Sequence, residues 1–307
     1  MKRPSPALEE LPAPPPGRAG WPWTEGSPPL GSDRPEDQAR PRVTIVTPSL
    51  NQGEFIEETI RSVLLQDYAE LDYIVVDGGS HDGTVDILRR YERWLFWLSE
   101  PDGGQSEAIN KGLRMATGEI LAYLNSDDTY CPGCVSAIAT VFESRRAVGL
   151  AYGDCQVIDE QGRELGYLPR HGFSLKRMIE RGEFLPQQAV FWRRGAMEKV
   201  GPFDESLHYA MDFEFFIRVG RAFPVEYVPT LLARFRMHSS SKTTSQSEKH
   251  WREVLAVSQR YGLNPWNHWY WLRRLRHWGL RGLPEPLQMW VRRTLGRAQD
   301  PVLYGRR

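Results

Sequence analysis

Lysine is scarce in this sequence. Only six of the 39 basic residues are lysine, a skew that reads as genomic composition and carries no chemistry of its own. Net charge is missing too: 39 acidic residues balance the 39 basic ones, so the overall basic footprint of a nucleic-acid-binding protein is absent. Cysteine is limited to Cys131, Cys134 and Cys155, too few for a disulfide framework. "CPGC" has C-x-x-C spacing, but no second cysteine pair or nearby histidine pair completes a zinc site, and the thioredoxin setting is lacking. Reduced thiols in a cytoplasmic protein are the expectation. No stretch reaches the roughly 18 uncharged apolar residues of a membrane span, and the N-terminus has no apolar core of signal-peptide type. The chain is therefore not expected to be integral to a membrane. What is present is ordinary: 307 residues, 40% hydrophobic and 25% charged, enough for one large domain or two small ones.

Residues 1–40 are dense in proline and glycine and are expected to form a disordered tail. From Arg42 the texture changes. "VTIVTPSL" is a short β-branched run that predicts a buried strand. Phe55, Ile56, Ile60, Val63 and Leu64 then share one helical face. "LDYIVVDGGS" predicts a second strand, and "TVDILRRYERW" a helix with Thr84 as N-cap. "FWLSEP" predicts a third strand, "GQSEAINKGLRMATG" a helix ended by Gly118, and "EILAYLN" a fourth strand. The alternation is βαβαβαβ. It implies an α/β fold, a doubly wound and mostly parallel sheet with helices on both faces.

Such sheets bind ligands in the crevice beyond the carboxyl ends of their strands. The four strands end in Pro48-Ser49-Leu50-Asn51, in Asp77-Gly78-Gly79-Ser80, in Glu100-Pro101-Asp102 and in Asn125-Ser126-Asp127-Asp128. Four polar endings converging on one edge make a site. After residue 150 the pattern loosens: "GLAYGDCQVID" and "VEYVPTLLARFRMH" read as strands and "HYAMDFEFFIRVGRAF" as a helix, so mixed topology is expected. No linker separates the two halves, 41–130 and 131–245, and one continuous domain over 41–245 is preferred. Residues 246–307 read as a helical extension. Its end, from about residue 264, carries five of the eleven tryptophans and nine arginines against two acids, Glu285 and Asp300. One reading lays it on an anionic membrane surface; the other packs its indoles on the main domain.

Hard cations such as Mg²⁺ and Mn²⁺ favour carboxylate oxygens and commonly sit between a protein acid and a substrate's phosphates. Asp127 and Asp128 suit that role; an Asx-type turn with both carboxylates in water is the alternative. "DGGSHDGT" lacks both the P-loop lysine and the G-x-G-x-x-G spacing, so nicotinamide and ATP-hydrolysing chemistry is unsupported. Asp212 and Glu214 lie among Met211, Phe213, Phe215 and Phe216, where burial raises a carboxyl's pKa. They serve as a general base, or as exposed acids on an amphipathic helix. Gln187, Gln188 and Trp192 are candidates for an acceptor side, with Trp192 equally suited to the core.

Residues from about Arg42 to Thr244 resemble family 2 glycosyltransferases, the nucleotide-sugar-dependent group with the GT-A fold. "TPSLNQGEFIEETIRSVLLQDY", "YIVVDGGSHDGTVDIL", "SEPDGGQSEAINKG" and "GEILAYLNSDD" occur in that family's order and spacing, followed by "PQQAVFWRR", "LHYAMDFEF" and "RMHSSSKT". The resemblance implies nucleotide contacts by Pro48, Ser49, Asn51, Asp77 and Gly79, with Asp77 facing the base. Asp102, Gln105 and Lys111 belong to a stretch that closes over the nucleotide and sugar. The family's D-x-D motif falls on Asn125, Ser126 and Asp127. Its first acid is replaced by an amide, which leaves Asp127 as principal ligand and turns Asn125 toward the sugar, the ribose or the ligand's surroundings. Asp128 caps the following turn in this reading. His238 completes the metal or diphosphate site, and Asp212 is the base.

The expected activity is an inverting, Mn²⁺- or Mg²⁺-dependent transfer of one sugar from a nucleotide-diphosphate sugar to a glycan or glycolipid acceptor. The Q-x-x-R-W signature of processive synthases is missing, which favours single addition in cell-surface polysaccharide or glycolipid biosynthesis. The expected place is the cytoplasm, at the inner face of the membrane if the C-terminus docks there. A nucleotidyltransferase is the nearest rival, although "TPSLNQGEF" does not resemble its glycine-rich loop. A non-catalytic nucleotide- or glycan-binding protein is the other, resting on Asn125 alone.

Overall fold

A computed structural model of the chain describes residues 3, 5–27, 40–168, 171–238, 247–264 and 266. The β-branched run Val43–Ser49 forms β1, and Leu71–Asp77 forms β2; every residue of both is buried. Strands buried on both faces need a layer above and another below, as in a covered parallel sheet. That layer comes from the crossover helices α1 (Ile56–Leu64), α2 (Thr84–Tyr91) and α3 (Gln105–Met115). They return the chain to β3 (Phe96–Ser99) and β4 (Ile120–Tyr123). β1 pairs in parallel with β2 on one side and β4 on the other, and β3 lies outside β2.

Beyond β4 the sheet becomes mixed. β8 (Val190–Arg193) runs antiparallel to β4 and to β6 (Leu150–Ile158), while β9 (Val225–Arg236) runs parallel to β6. A short β5 (Thr129–Tyr130) pairs antiparallel with β9, and β7 (Glu164–Tyr167) with β6. The result is a single nine-stranded sheet of order β3-β2-β1-β4-β8-β6-β9-β5, with β7 beside β6. Helices α4 (Cys134–Ser144), α5 (Leu175–Arg181), α6 (Arg194–Val200), α7 (Met211–Ala222) and α8 (Ser247–Arg260) complete the layers. Alternate strand residues feed two cores. Val43 and Ile45 join the one beneath α1, α2 and α4; Val46 joins the one beneath α3, α6 and α7.

Both ends of the described chain depart from expectation. The segment expected to be a disordered tail packs on the protein over residues 5–27, where Leu11, Trp21 and Trp23 are buried. It covers the outer face of α1, all nine of whose residues are buried, Glu57, Glu58 and Arg61 included. Arg61, 1% exposed, donates to the carbonyls of Pro12 (2.8 Å), Pro22 (3.0 Å) and Trp23 (2.8 Å) and to the Tyr91 hydroxyl (3.1 Å). A guanidinium carries five donors and no acceptor, so a cluster of main-chain carbonyls satisfies it where water cannot reach. Trp21 adds a bond from its indole N–H to the Tyr130 carbonyl (2.8 Å).

At the other end, α8 is part of the main body. Val254 and Val257 are buried in the core beneath α3 and α7, so the division expected at residue 245 does not separate this helix from it. The Trp- and Arg-rich stretch from 267 lies outside the described residues, and with it the expected membrane contact. Among the described residues no helix is long and apolar enough to cross a membrane.

Two local expectations also shift. Thr84 is the first helical residue of α2, not its cap; Asp82 Oδ1 accepts from the Thr84 amide (2.9 Å). α3 ends at Met115, where Ala116 turns extended, three residues short of Gly118. Gly118 is needed for a different reason: a Cβ there would lie 2.6 Å from the Thr44 amide nitrogen on β1.

Candidate active site

The strand order turns back between β1 and β4, and ligands of open α/β sheets bind beyond the strand ends at such a point. A cavity of about 380 Å³ opens there. Pro48 and Ser49 at the end of β1 line it, as do Asp102 and Gln105 at the start of α3 and Asn125, Ser126 and Asp127 after β4. Gln187 and Gln188, Asp212 at the head of α7, and His238 after β9 complete the part that sequence reasoning anticipated. The Ser49 hydroxyl is buried without a hydrogen-bond partner, a polar atom left available to a ligand.

The loop after β4 divides its two acids. Asp128 is fully buried: its carboxylate accepts from the Arg236 amide (2.9 Å) and from Asn125 Nδ2 (3.3 Å). Burial, reinforced by neighbouring Asp127, pushes its pKa well above the carboxylate range. It is an anchor inside the loop, neither a metal ligand facing the cavity nor a carboxylate left in water. Arg236 also donates from Nε to the Asp127 carbonyl (2.9 Å) and pairs with Glu58 on α1 (3.0 Å). The Thr59 hydroxyl on α1 lies within hydrogen-bond distance of the Ser126 and Asp128 carbonyls, at 2.9 and 2.7 Å. Held this way, the loop turns Asp127 into the cavity, where its Oδ2 meets His238 Nε2 at 2.9 Å. The His238 ring rests on Phe55, with centroids 4.8 Å apart.

Asn125, at the first position of the expected D-x-D motif, is held within a network of amides. Gln105 Nε2 donates to its Oδ1 (2.7 Å), and its own Nδ2 donates to Gln187 Oε1 (3.2 Å). Gln187 in turn donates to the Tyr123 carbonyl (2.8 Å). Asn125 thus fixes the cavity floor instead of offering a charge.

No group of three potential ligands for a metal ion occurs among the described residues. The donor set nevertheless fits a hard divalent cation, because such ions use one or two protein groups and complete their shell with substrate phosphates and water. Asp127 and His238 supply two adjacent donors facing open volume. The charge of the cavity points the same way. Asp102, Asp127 and Asp212 line it, and among the described lining residues there is no lysine or arginine. An unneutralised diphosphate would be repelled from such a wall.

Asp212 occupies the first turn of α7 and accepts from the Phe213 amide (2.7 Å). It is partly buried among apolar neighbours, and desolvation lifts its pKa to about 6. Glu214, the other candidate, is engaged elsewhere: it pairs with Arg218 (2.8 Å) and accepts from the Tyr261 hydroxyl.

Five expected site residues do not line the cavity. Asp77 is fully buried, and its carboxylate accepts from the amides of Gly79 (3.2 Å) and Ser80 (2.8 Å) and from the hydroxyls of Ser80 (2.5 Å) and Ser99 (2.6 Å). In this geometry it braces the turn at the end of β2, and Gly79 supplies that turn's left-handed residue, with φ of +85°. Asn51 ties the same turn to β1, accepting from the His81 amide (3.0 Å) while its own amide donates to Ser80 Oγ (2.7 Å). Lys111 pairs with Glu100 (2.6 Å). Trp192, proposed for acceptor stacking, is 1% exposed and packs between Tyr123, Phe203 and Phe215. It is a core residue, since an indole without exposed surface has no face for a sugar.

Sequence reasoning missed His208, Tyr209 and His250, which all line the cavity. The first two lie in "LHYAMDFEF", whose acids drew the attention. His250 carried no local signal, because its helix read as part of an extension.

The family model described as Glycosyl transferase family 2 matches residues 44–201, about half of the chain. The chain belongs to glycosyl transferase family 2. This glycosyltransferase is 32% identical over 182 residues to an uncharacterized glycosyltransferase of Mycobacterium tuberculosis, covering 58% of its own length and 68% of the relative. It is 28% identical over 233 residues to a PGL/p-HBAD biosynthesis glycosyltransferase of Mycobacterium bovis, covering 73% and 88%. Among solved structures, the mannosyltransferase PcManGT from Pyrobaculum calidifontis, in complex with GDP-Man and Mn²⁺, superposes with a TM-score of 0.60 at 20% identity, covering 88% of this chain and 81% of that one. Residues 1–349 of TarS from S. aureus, in complex with UDP-GlcNAc, give 0.61 at 19% identity, covering 83% and 80%. The glycosyltransferase therefore has the GT-A fold. Its family match ends before α7, so Asp212, His238 and His250 all lie beyond it.

Proposed function

We propose that this glycosyltransferase is an inverting, metal-dependent enzyme that moves one sugar from a nucleotide-diphosphate sugar to a hydroxyl of a glycan or glycolipid acceptor. The observation that carries the reading is the composition of one cavity. It brings together Asp127 with His238 at its side and a desolvated Asp212, and it lacks a lysine or arginine among its described lining residues. Asp127 and His238 would hold Mn²⁺ or Mg²⁺. Bound there, the ion would supply the positive charge that a leaving diphosphate requires. Ser49 offers its unpartnered hydroxyl to the donor, and the Gln105–Asn125–Gln187 amides hold the floor on which the sugar lies.

Asp212 takes the proton of the acceptor hydroxyl as that oxygen attacks the anomeric carbon on the face opposite the nucleotide. The logic is that of the base of an inverting glycosidase. A carboxylate with a pKa of about 6 is ionised at neutral pH and is a stronger base than an ordinary one. The neighbours solved in complex with GDP-Man and Mn²⁺ and with UDP-GlcNAc support a nucleotide-sugar donor. The relative named for PGL/p-HBAD biosynthesis supports a biosynthetic role.

The test is a thermal-shift panel of UDP-, GDP- and dTDP-sugars with Mn²⁺ or with EDTA. A donor at 100 times its dissociation constant stabilises the fold by about 2.7 kcal/mol. That gain is expected only with the metal, and is expected to vanish in Asp127→Asn. Donor binding that ignores EDTA would sink the metal assignment.

A further inference from the structure

Of the first-turn amides of α7, that of Phe213 is met by Asp212 itself, and none is met by a side chain of the residue before the helix. Ala210, the residue before the helix, carries no side chain able to accept from the first-turn amides, and such amides need partners when buried. Just ahead of the helix, α8 supplies a partner for the Ala210 amide and the two before it. Glu253 Oε2 accepts from the amides of Tyr209 (2.7 Å), Ala210 (3.0 Å) and His208 (3.1 Å), and Oε1 lies 3.2 Å from the His208 amide. One carboxylate thus gathers three consecutive N–H groups, two residues ahead of Asp212. The same helix brings His250 to the cavity wall, one turn before Glu253.

The placement has an electrostatic consequence. The N-terminus of a helix carries about half a positive charge, spread over its unpaired amides. A carboxylate in the first turn is ordinarily stabilised by that field and weakened as a base. Glu253 sets its carboxylate against the Ala210 amide, next to that first turn, and against the two amides ahead of it. We infer that Glu253 is a positioning residue for the transfer reaction: it clamps the approach to α7 and offsets part of the helix's N-terminal field at Asp212. The inference rests on the reading of Asp212 as the base and extends it to a helix outside the family match.

Other ionisable groups around Asp212 do not perform this function. Tyr123 from β4 and His250 from α8 share the cavity with it, and His208 and Tyr209 stand on its own approach. Asp102, Asp127 and His238 line the donor side. On α7 itself Glu214 is neutralised by Arg218 at 2.8 Å, and no charged residue of α5 or α6 is among the described lining residues. Burial holds the His250 imidazole below its ordinary pKa, toward the neutral form. Glu253 is the acid that meets the three amides just ahead of α7.

The test follows the Asp212 carboxyl by carbon-13 NMR in aspartate-labelled full-length protein, its resonance identified as the one lost in Asp212→Asn. The wild-type carboxyl is expected to titrate near 6, and a value at or below 3.8 overturns the inference even if no Glu253 variant folds. Glu253→Gln keeps an acceptor but removes the charge, and is expected to lower the Asp212 pKa by about half a unit. Glu253→Asp keeps the charge while shortening the clamp, and is expected to titrate with wild type. If the Gln variant does not fall below the Asp variant, because neither moves or because both fall together, the field argument is overturned. Failure of the base assignment shows separately, as undiminished sugar transfer by Asp212→Asn, and the titration still decides Glu253.

Discussion

The two ends of the described chain fold back onto opposite sides of the sheet by opposite chemistry. At the N-terminal end a buried cation, Arg61, gathers main-chain carbonyls of residues 12, 22 and 23. At the C-terminal end a carboxylate, Glu253, gathers the amides of residues 208–210. Each clamp stands behind one half of the cavity. α1, which carries Arg61, also carries Thr59 and Glu58, and these hold the Asp127–Asp128 loop directly and through Arg236. α8 stands behind Asp212. The lesson is that the strand-end loops do not hold the donor and acceptor sides by themselves. Segments far away in sequence supply the charges that fix them, and the two halves fail differently when those charges are removed.

The largest expected effect breaks the acceptor half alone. Asp212→Asn should lower the rate of sugar transfer about 10²- to 10⁴-fold, the usual worth of a general base. Metal-dependent donor binding should be preserved, as measured by turnover beside thermal shift. Loss of both together would mean that the two halves are not separable.

Next comes the N-terminal clamp. Arg61→Met leaves three buried carbonyls without a donor and should destabilise the fold by about 3 kcal/mol, read as a lower urea midpoint. A change under about 0.5 kcal/mol would mean that water replaces the guanidinium. Within the donor loop, Asp128→Ala strands the Arg236 amide and should cost about 1–3 kcal/mol by the same measurement. Asp127→Asn, facing the cavity, should leave the urea midpoint nearly unchanged, and equal losses in the two would erase the division of labour between adjacent acids.

A smaller effect has a sign set by pH. The Asp212 carboxyl titrates near 6 when folded against an ordinary 3.8, so the folded chain holds this proton more tightly than the unfolded one. Its contribution to stability is complete below about pH 4, declines as pH rises toward 6 and is lost above that. Asp212→Asn should accordingly gain about 1–3 kcal/mol at pH 7.5 and little at pH 4, measured by urea melts at both. A gain that does not depend on pH would point to packing and away from ionisation. The smallest effect is expected at Lys111, whose pairing with Glu100 lies outside the cavity. Lys111→Ala should change stability by no more than about 0.5 kcal/mol and leave donor binding unaltered.

The elements that were legible in the sequence share a local signal. β1 and β2 are short runs rich in β-branched and apolar residues, α1 and α3 repeat apolar residues at helical spacing, and four polar strand endings marked the edge where the cavity lies. Which of these residues face the cavity was decided by orientation. Asp77 and Asp127 both end strands, yet one turns inward onto the Ser80 and Ser99 hydroxyls and the other outward toward His238. Asp127 and Asp128 are neighbours, and the bond from the Arg236 amide, over a hundred residues away, helps to select which is buried. Trp192 has the chemistry of a sugar platform and the surroundings of a core residue. The proline-rich N-terminus reads as disordered by composition, because its burial depends on Arg61 and not on a periodicity of its own.

The sequence alone determined the order of strands and helices through β4, the family, and the edge at which chemistry would gather. These follow from hydrophobic period and from motif order, which are properties of neighbouring residues. Only the tertiary structure decided which acid faces the cavity, what holds it there, and that both ends of the described chain take part. Burial and hydrogen bonding are settled between residues brought together by folding, and a one-dimensional pattern does not record which carboxylate will find an amide and which will be left for a ligand.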